Sequence, residues 1–181
     1  MDDDFLVRQI LGGNRDAFRL LVLRYQRPLF RFLGLLGFTS DAAEDLAQQT
    51  FLRVFRSLQS FDARQSKFGT WLFTIAKRLA ANERQRAYHH HEQPAGDASG
   101  EGTAPAWQPA DPALVHERTH RLRAAMAGLP VALRSTFFLS QINELTLDEV
   151  AAIEGCAVGT VKSRIHRARE QLRAALVDQE D

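Results

Sequence analysis

The chain has 181 residues, 45% of them hydrophobic, with a net charge of +1 and one cysteine. That allows one domain or two small ones with packed cores, and the lone Cys156 excludes an intrachain disulfide and points to a reducing compartment. The acidic start Met1-Asp2-Asp3-Asp4 excludes a signal peptide and no apolar run has transmembrane length, so a soluble, cytoplasmic protein is expected.

The small total charge hides an uneven distribution. Residues 1–87 carry 14 Lys or Arg against 9 Asp or Glu, residues 88–112 carry none against 4, and residues 113–181 are balanced at 9 and 9. Among the basic residues only Lys67, Lys77 and Lys162 are lysine. Arginine favours bidentate contacts with phosphate and guanine, although GC-rich codon usage gives the same bias.

In chain order, residues 5–11 form a short apolar helix that stops at Gly12-Gly13. Residues 15–36 form a long helix with Phe18, Leu21, Val22, Tyr25, Leu29, Phe32, Leu33 and Leu36 on its buried side. Pro28 either kinks or divides it, and Gly37 ends it. Thr39 or Ser40 caps a third helix, whose first turn carries Asp41 and Glu44, favourable with the helix dipole. That helix runs to about residue 58. Its inward residues are Leu46, Phe51, Val54, Phe55 and Leu58, and its outward ones Asp45, Gln48, Gln49 and Arg53.

After a loop at 59–67, a fourth helix spans about 68–87. Phe68, Trp71, Leu72, Ile75, Ala76 and Leu79 form its packed face. Thr70, Phe73, Lys77 and Arg84 fall on the far side, flanked by Thr74 and Arg78. An outward aromatic among cations suits single-stranded DNA, with bases stacked on the ring and cations along the phosphates. The competing reading packs Phe73 under the preceding loop and leaves the charges solvated.

Residues 93–112 hold four of the six prolines, three glycines and no Val, Ile, Leu or Phe. Such a segment cannot bury enough surface to fold and reads as a flexible acidic linker. Trp107 within it is unexplained unless it docks on a partner. The run His89-His90-His91 just before it is read as incidental, so no metal site is expected.

Helical patterning returns at Leu114. Leu122, Met126 and Leu129 close one helix before Pro130, and residues 131–141 form the next, with Leu133, Phe137 and Phe138 apolar, as is Ile142 just beyond. Thr146 and Glu149 then make a capping box that starts a helix at Leu147, with Val150, Ala151 and Ile153 as its apolar side. Gly155 supplies a turn. A second helix starts at Val158 or Gly159, and Val158, Val161, Ile165, Ala168, Leu172 and Leu176 recur on one narrow face. The opposite arc carries Gly159, Thr160, Ser163, Arg164, His166, Arg167 and Glu170, with Lys162 and Arg173 at its edges. Residues 141–157 hold four acidic and no basic side chains, whereas 158–173 hold five basic and one acidic. Cap, turn and charge split together favour a DNA-binding helix-turn-helix, its second helix in the major groove, over a solvated amphipathic helix. Cys156 reads as a small turn residue, and 178–181 as an acidic tail. Strand-like alternation is absent, so the expected fold is all-α: two small helical domains joined by a flexible linker.

Four segments carry a family resemblance: D-L-A-Q-Q-T-F-L-R-V-F-R (45–56), F-G-T-W-L-F-T-I-A-K-R-L-A-A-N (68–82), L-P-V-A-L-R-S-T-F-F-L (129–139) and L-T-L-D-E-V-A-A-I-E-G-C-A-V-G-T-V-K-S-R-I-H-R-A-R (145–169). In order and spacing they resemble the extracytoplasmic-function sigma factors of bacterial RNA polymerase. The resemblance implies sigma domain two over residues 1–87, a linker over 88–112 and sigma domain four over 113–181. It implies that Asp45, Gln48 and Gln49 grip the polymerase core. It implies minus-ten and single-strand contacts through the loop residues Phe61, Arg64 and Lys67 and through Phe73, Lys77, Arg78 and Asn82. Lys162, Ser163, His166 and Arg167 match positions that read the minus-thirty-five element, and Thr160 and Arg164 match phosphate contacts. Core enzyme and promoter DNA are the implied partners, together with an anti-sigma factor. No nucleophile, metal cluster or phosphate-binding glycine loop is evident, so neither a cofactor nor enzyme activity is expected. A stand-alone helix-turn-helix regulator and a pure polymerase-interaction module are the alternatives.

Overall fold

The computed structural model describes residues 2–91, 114–141 and 145–177, with side chains over 2–88, 121–141 and 145–177. The expected linker core with Trp107, the acidic tail and Ile142 lie outside the described residues. Eight α-helices and no strand occur among the described residues.

Local signals start several of the helices. In α1 (Asp3–Leu11) the first turn is acidic, and Asp3 is itself buried, accepting hydrogen bonds from Arg24 and from the Tyr25 hydroxyl of α2. Helix α2 (Asp16–Leu35) runs unbroken through Pro28 and packs against α1, α3 and α4. Thr39, not Ser40, caps α3 (Ser40–Ser57), its hydroxyl accepting from the Ala42 N–H at 3.4 Å. A 3-10 turn at Leu58–Ser60 follows. Helix α4 (Phe68–His91) continues four residues past the expected end at 87, through the three histidines.

Leu21, Leu29, Phe32 and Leu33 of α2 meet Val54 of α3 and Phe68, Leu72 and Phe73 of α4 in one apolar cluster. Burying a side chain of that size contributes about 1.5–3 kcal/mol. Three expectations fail here. Phe73 does not face outward: it is 0% exposed and meets the Tyr25 and Phe32 rings edge-on at 6.4 and 5.4 Å. Thr70, placed on the same outer side, is also buried. Conversely Phe55, expected inside, is 40% exposed and touches the Phe18 ring edge-on at 4.9 Å.

The second bundle comprises α5 (Leu114–Gly128), α6 (Val131–Ser140), α7 (Leu147–Glu154) and α8 (Val158–Val177). Ala125, Leu129, Leu133, Ala168 and Leu172 form its own core. The two bundles are not separate bodies. Helix α7 packs on α4 and α6 on α2, so Leu139, Val150, Ala151, Ile153, Val161 and Ile165 join the first bundle's apolar cluster. The Phe32 and Phe138 rings stack across this seam with centroids 6.4 Å apart.

Candidate nucleic-acid interface

The helix-turn-helix is built by local bonds that the sequence prescribes. The Thr146 hydroxyl accepts from the Glu149 N–H at 3.3 Å, and the Glu149 carboxylate accepts from the Thr146 N–H at 2.6 Å. Both partners of the capping box are therefore satisfied. Burial pushes the Glu149 carboxyl up, but the Thr146 backbone and side-chain bonds and the Lys67 ammonium outweigh it and leave the group below its ordinary range. Gly155 closes α7 in the left-handed region, at φ 66° and ψ 38°, and a Cβ there would meet no atom within 4 Å. The backbone conformation alone thus favours glycine.

Helix α8 then buries Val161, Ile165, Ala168 and Leu172. Its opposite side exposes Lys162, Ser163, His166, Arg167, Arg169 and Arg173. Arg169 was absent from the expected arc, yet its offset of about 100° from buried Ala168 leaves it in solvent. Ser163 donates to the Thr160 carbonyl at 2.9 Å, and His166 lies 3.4 Å from Glu170 one turn on. Thr160 is half-buried at the helix entry. Arg164 departs from the expected phosphate contact. Its guanidinium turns under the helix toward the Glu154 carboxylate at 3.4 Å and the Cys156 sulfur at 3.8 Å, so it braces the turn from within.

In the first bundle, Asp45, Gln48 and Gln49 are all exposed on α3, as expected. Beside them runs an apolar groove lined by Phe18, Val22, Gln48, Phe51, Leu52 and Phe55. Leu52 is 56% exposed. Sequence reasoning missed this groove because it took Phe55 for core.

The loop at 60–67 is organised by Asp62, which sequence reasoning did not single out. Its carboxylate accepts from the Arg64 backbone N–H at 3.0 Å, from the Arg64 guanidinium twice at 3.1 Å, and from the Gln65 amide at 3.2 Å. The Arg64 side-chain bond, then its backbone bond, lower the Asp62 carboxyl from 3.8 to about 2. An Asp folding back on the backbone two residues later is a turn signal that could have been read. Phe61 is the loop's anchor. Its half-buried ring packs on Phe68 and Trp71 at 5.8 and 5.1 Å, which turns part of it away from the surface where it was expected to meet a base.

Arg78 and Asn82 lie one turn apart on the exposed strip of α4. Lys67 and Lys77 point instead to the second bundle, reaching Glu149 at 3.3 Å and Glu154 at 2.6 Å. Of the expected minus-ten set, then, Arg64, Arg78 and Asn82 present themselves to solvent, two lysines are paired, the Phe73 ring is buried and the Phe61 ring is half-buried. Among the described residues no three His, Cys, Asp or Glu side chains are grouped to hold a metal ion, and no helix is long and apolar enough to cross a membrane.

Comparison with known proteins covers both bundles. The family model of sigma-70 region 2 matches residues 21–90, and that of sigma-70 region 4 matches residues 119–172. The chain is 32% identical over 179 residues to the ECF RNA polymerase sigma factor SigW of Bacillus subtilis, covering 95% of each chain. It is 34% identical to the RNA polymerase sigma-H factor of Pseudomonas aeruginosa, covering 96% of this chain and 93% of that one. Two solved structures share the fold. CnrH in complex with the cytosolic domain of CnrY superposes with a TM-score of 0.66 at 26% identity, covering 99% of both chains. The sigma factor RpoE in complex with the anti-sigma factor NepR from Bartonella quintana gives 0.67 at 26% identity, covering 88% of this chain and 96% of that one.

Proposed function

From the premise that the chain belongs to the extracytoplasmic-function sigma factors, we propose how its surfaces divide the work of starting transcription. Residues 1–87 serve as domain two, 88–112 as the linker and 113–181 as domain four. The chain binds core RNA polymerase, directs it to promoters and helps open the minus-ten region. It does no covalent chemistry itself; the polymerase supplies the catalysis. It acts in the cytoplasm, where polymerase and promoter are.

The observation that carries this reading is the exposed arc of α8, with Lys162, Ser163, His166 and Arg167 on a helix whose entry is fixed by the cap and by Gly155. Those four side chains read the minus-thirty-five element in the major groove, and Thr160 lies at the phosphate near the helix start. Arg164 holds the turn in place for them. On the first bundle, Asp45, Gln48 and Gln49 contact core, with the Phe18–Phe55 groove beside them as apolar support. The minus-ten strand is held by Arg64, Lys67, Lys77, Arg78 and Asn82 through phosphate and polar contacts. Phe73 and Phe61 leave that list, because one is core and the other anchors the loop.

Each domain alone makes few phosphate contacts and binds weakly. Joining both to polymerase raises their effective concentration, so affinity comes from linkage. A family match over both bundles decides against a stand-alone helix-turn-helix regulator. The RpoE structure holds an anti-sigma factor, and a partner of that class is extended to this chain. Run-off transcription with bacterial core polymerase on genomic fragments tests the whole reading. New discrete starts that share two upstream elements are expected only when this chain is present. Core binding without such starts would instead point to an interaction module.

A further inference from the structure

We propose that Arg84 of α4 and Arg134 of α6 form a binding site for a small phosphate-bearing anion of the inorganic phosphate or pyrophosphate class. The two arginines come from different bundles and meet beside the turn between α2 and α3. The Arg84 guanidinium carbon lies 5.3 Å from the centroid of the Phe38 ring. One of its terminal nitrogens is 3.9 Å from the position that a Cβ would take on Gly37. Arg134 stands one turn before Phe138 on α6, so the two share a face of that helix. Phe138 stacks on Phe32 of α2 at the seam between the bundles. Arg134 is therefore placed along the same seam, and it is half-buried there.

What this place lacks is negative charge. A desolvated guanidinium is normally paired, yet among the described residues neither arginine has a carboxylate within ion-pair distance. Arg134 donates one hydrogen bond, to the Ala127 carbonyl at 3.4 Å, and its Nε is buried with no partner. The neighbouring charge that acts on it is Arg84, and the sign is repulsive. Burial, then that repulsion, hold the Arg134 guanidinium below its usual range. Burial does the same to the Arg84 guanidinium, although that residue as a whole is exposed. Arginine does not shed its proton in proteins, so the strain is not relieved by neutralisation. The contact with Ala127 also carries the Arg134 guanidinium back past the start of α6, which has no side-chain cap. The positive end of the helix dipole adds to the two charges there. An anion between the guanidinia would satisfy the Arg134 Nε and turn the repulsion into two attractions. Two planar forks with a joint charge of +2 match the oxygens of a phosphate bidentately, which chloride cannot use. The exposure of Arg84 leaves a way in from solvent. Elements on two sides of the pair favour a small anion over a nucleic-acid strand, which needs an open track.

The test uses the full chain and the variants Arg84→Gln and Arg134→Gln, in which glutamine stays polar but loses the charge. Arg86→Gln, at an exposed position of α4 paired with Glu83, is the control. The thermal midpoint is followed as pyrophosphate or inorganic phosphate is added, against chloride at matched ionic strength. A ligand that binds only the folded chain raises the midpoint as its concentration rises. The expected result is a rise with pyrophosphate and a smaller one with phosphate, both beyond chloride. The rise should persist in Arg86→Gln and disappear in Arg84→Gln and Arg134→Gln. Broadening of the phosphorus resonances of pyrophosphate by the chain should follow the same pattern. That reads binding directly should either variant be too unstable for its midpoint to be compared. An equal rise with chloride, or a rise that survives both substitutions, overturns the site. An Arg134-dependent rise with a single-stranded oligonucleotide and none with pyrophosphate overturns the small-anion assignment.

Discussion

Helices α4 and α8 look alike in sequence: each has an apolar stripe and a cationic far side. They differ in how their neighbours are arranged. Helix α8 rests its stripe on α5, α6 and α7 and leaves a wide arc in solvent. Helix α4 is wedged between α2 and α3 on one side and α7 on the other. Periodicity found the right arc on α8. On α4 it placed Phe68, Leu72 and Ala76 in the core and Trp71, Ile75 and Leu79 against it, but it turned Phe73 outward and left out Ala80, both of which are buried. A helix with partners on several sides has no single apolar face, so an apolar side chain off the main stripe is as apt to be core as to be a binding residue.

The largest effect that probes this contrast is in α4. Phe73→Ala removes a ring that is 0% exposed and should cost about 3–5 kcal/mol of stability in chemical denaturation. A cost within about 0.5 kcal/mol, as at an ordinary surface site, would return Phe73 to the surface and break the contrast. In α8 the effect should fall on recognition. Arg167→Ala should leave stability within about 0.5 kcal/mol and reduce discrimination among minus-thirty-five variants by about 1–3 kcal/mol. Unaltered preference in a transcription series would remove Arg167 from base reading. The cap of α7 comes next. Thr146→Ala should lower stability by about 1 kcal/mol, seen as a reduced denaturation midpoint, since it leaves the Glu149 N–H without its side-chain acceptor. The smallest effect concerns the loop before α4. Because the Asp62 carboxyl is lowered to about 2 from 3.8, its bonds are complete above the ordinary value and are lost as the pH falls toward 2. The Arg64 amide resonance should titrate near the lower value; a midpoint near 3.8 would show that the carboxylate does not hold that N–H.

Much of the candidate site was legible because its signals are local. The capping box at Thr146 and Glu149, the turn at Gly155, the start of α8 at Val158 and the outward Asp45, Gln48 and Gln49 each follow from a few adjacent residues. Arg164 was misread for the opposite reason. Its position on the helical wheel is nearly outward, but a long side chain reaches back to a carboxylate ten residues earlier, and no wheel shows that. The apolar groove beside Gln48 escaped notice because Phe55 has the spacing of a core residue while its ring lies at the bundle's edge.

The sequence by itself determined that the fold is all-α, where most helices of the described residues begin and end, that the second bundle carries a helix-turn-helix with a basic second helix, and which family the chain resembles. Caps, glycine turns and apolar spacing act over three or four residues, so they are written in the chain wherever they occur. Tertiary structure alone decided that Phe73 and Phe61 are packed, that Arg164 faces inward, and that Lys67 and Lys77 meet Glu149 and Glu154 from the other bundle. Those outcomes depend on which side chains and surfaces meet in space, for the two lysines across some eighty residues of chain, and such meetings leave no local pattern to read.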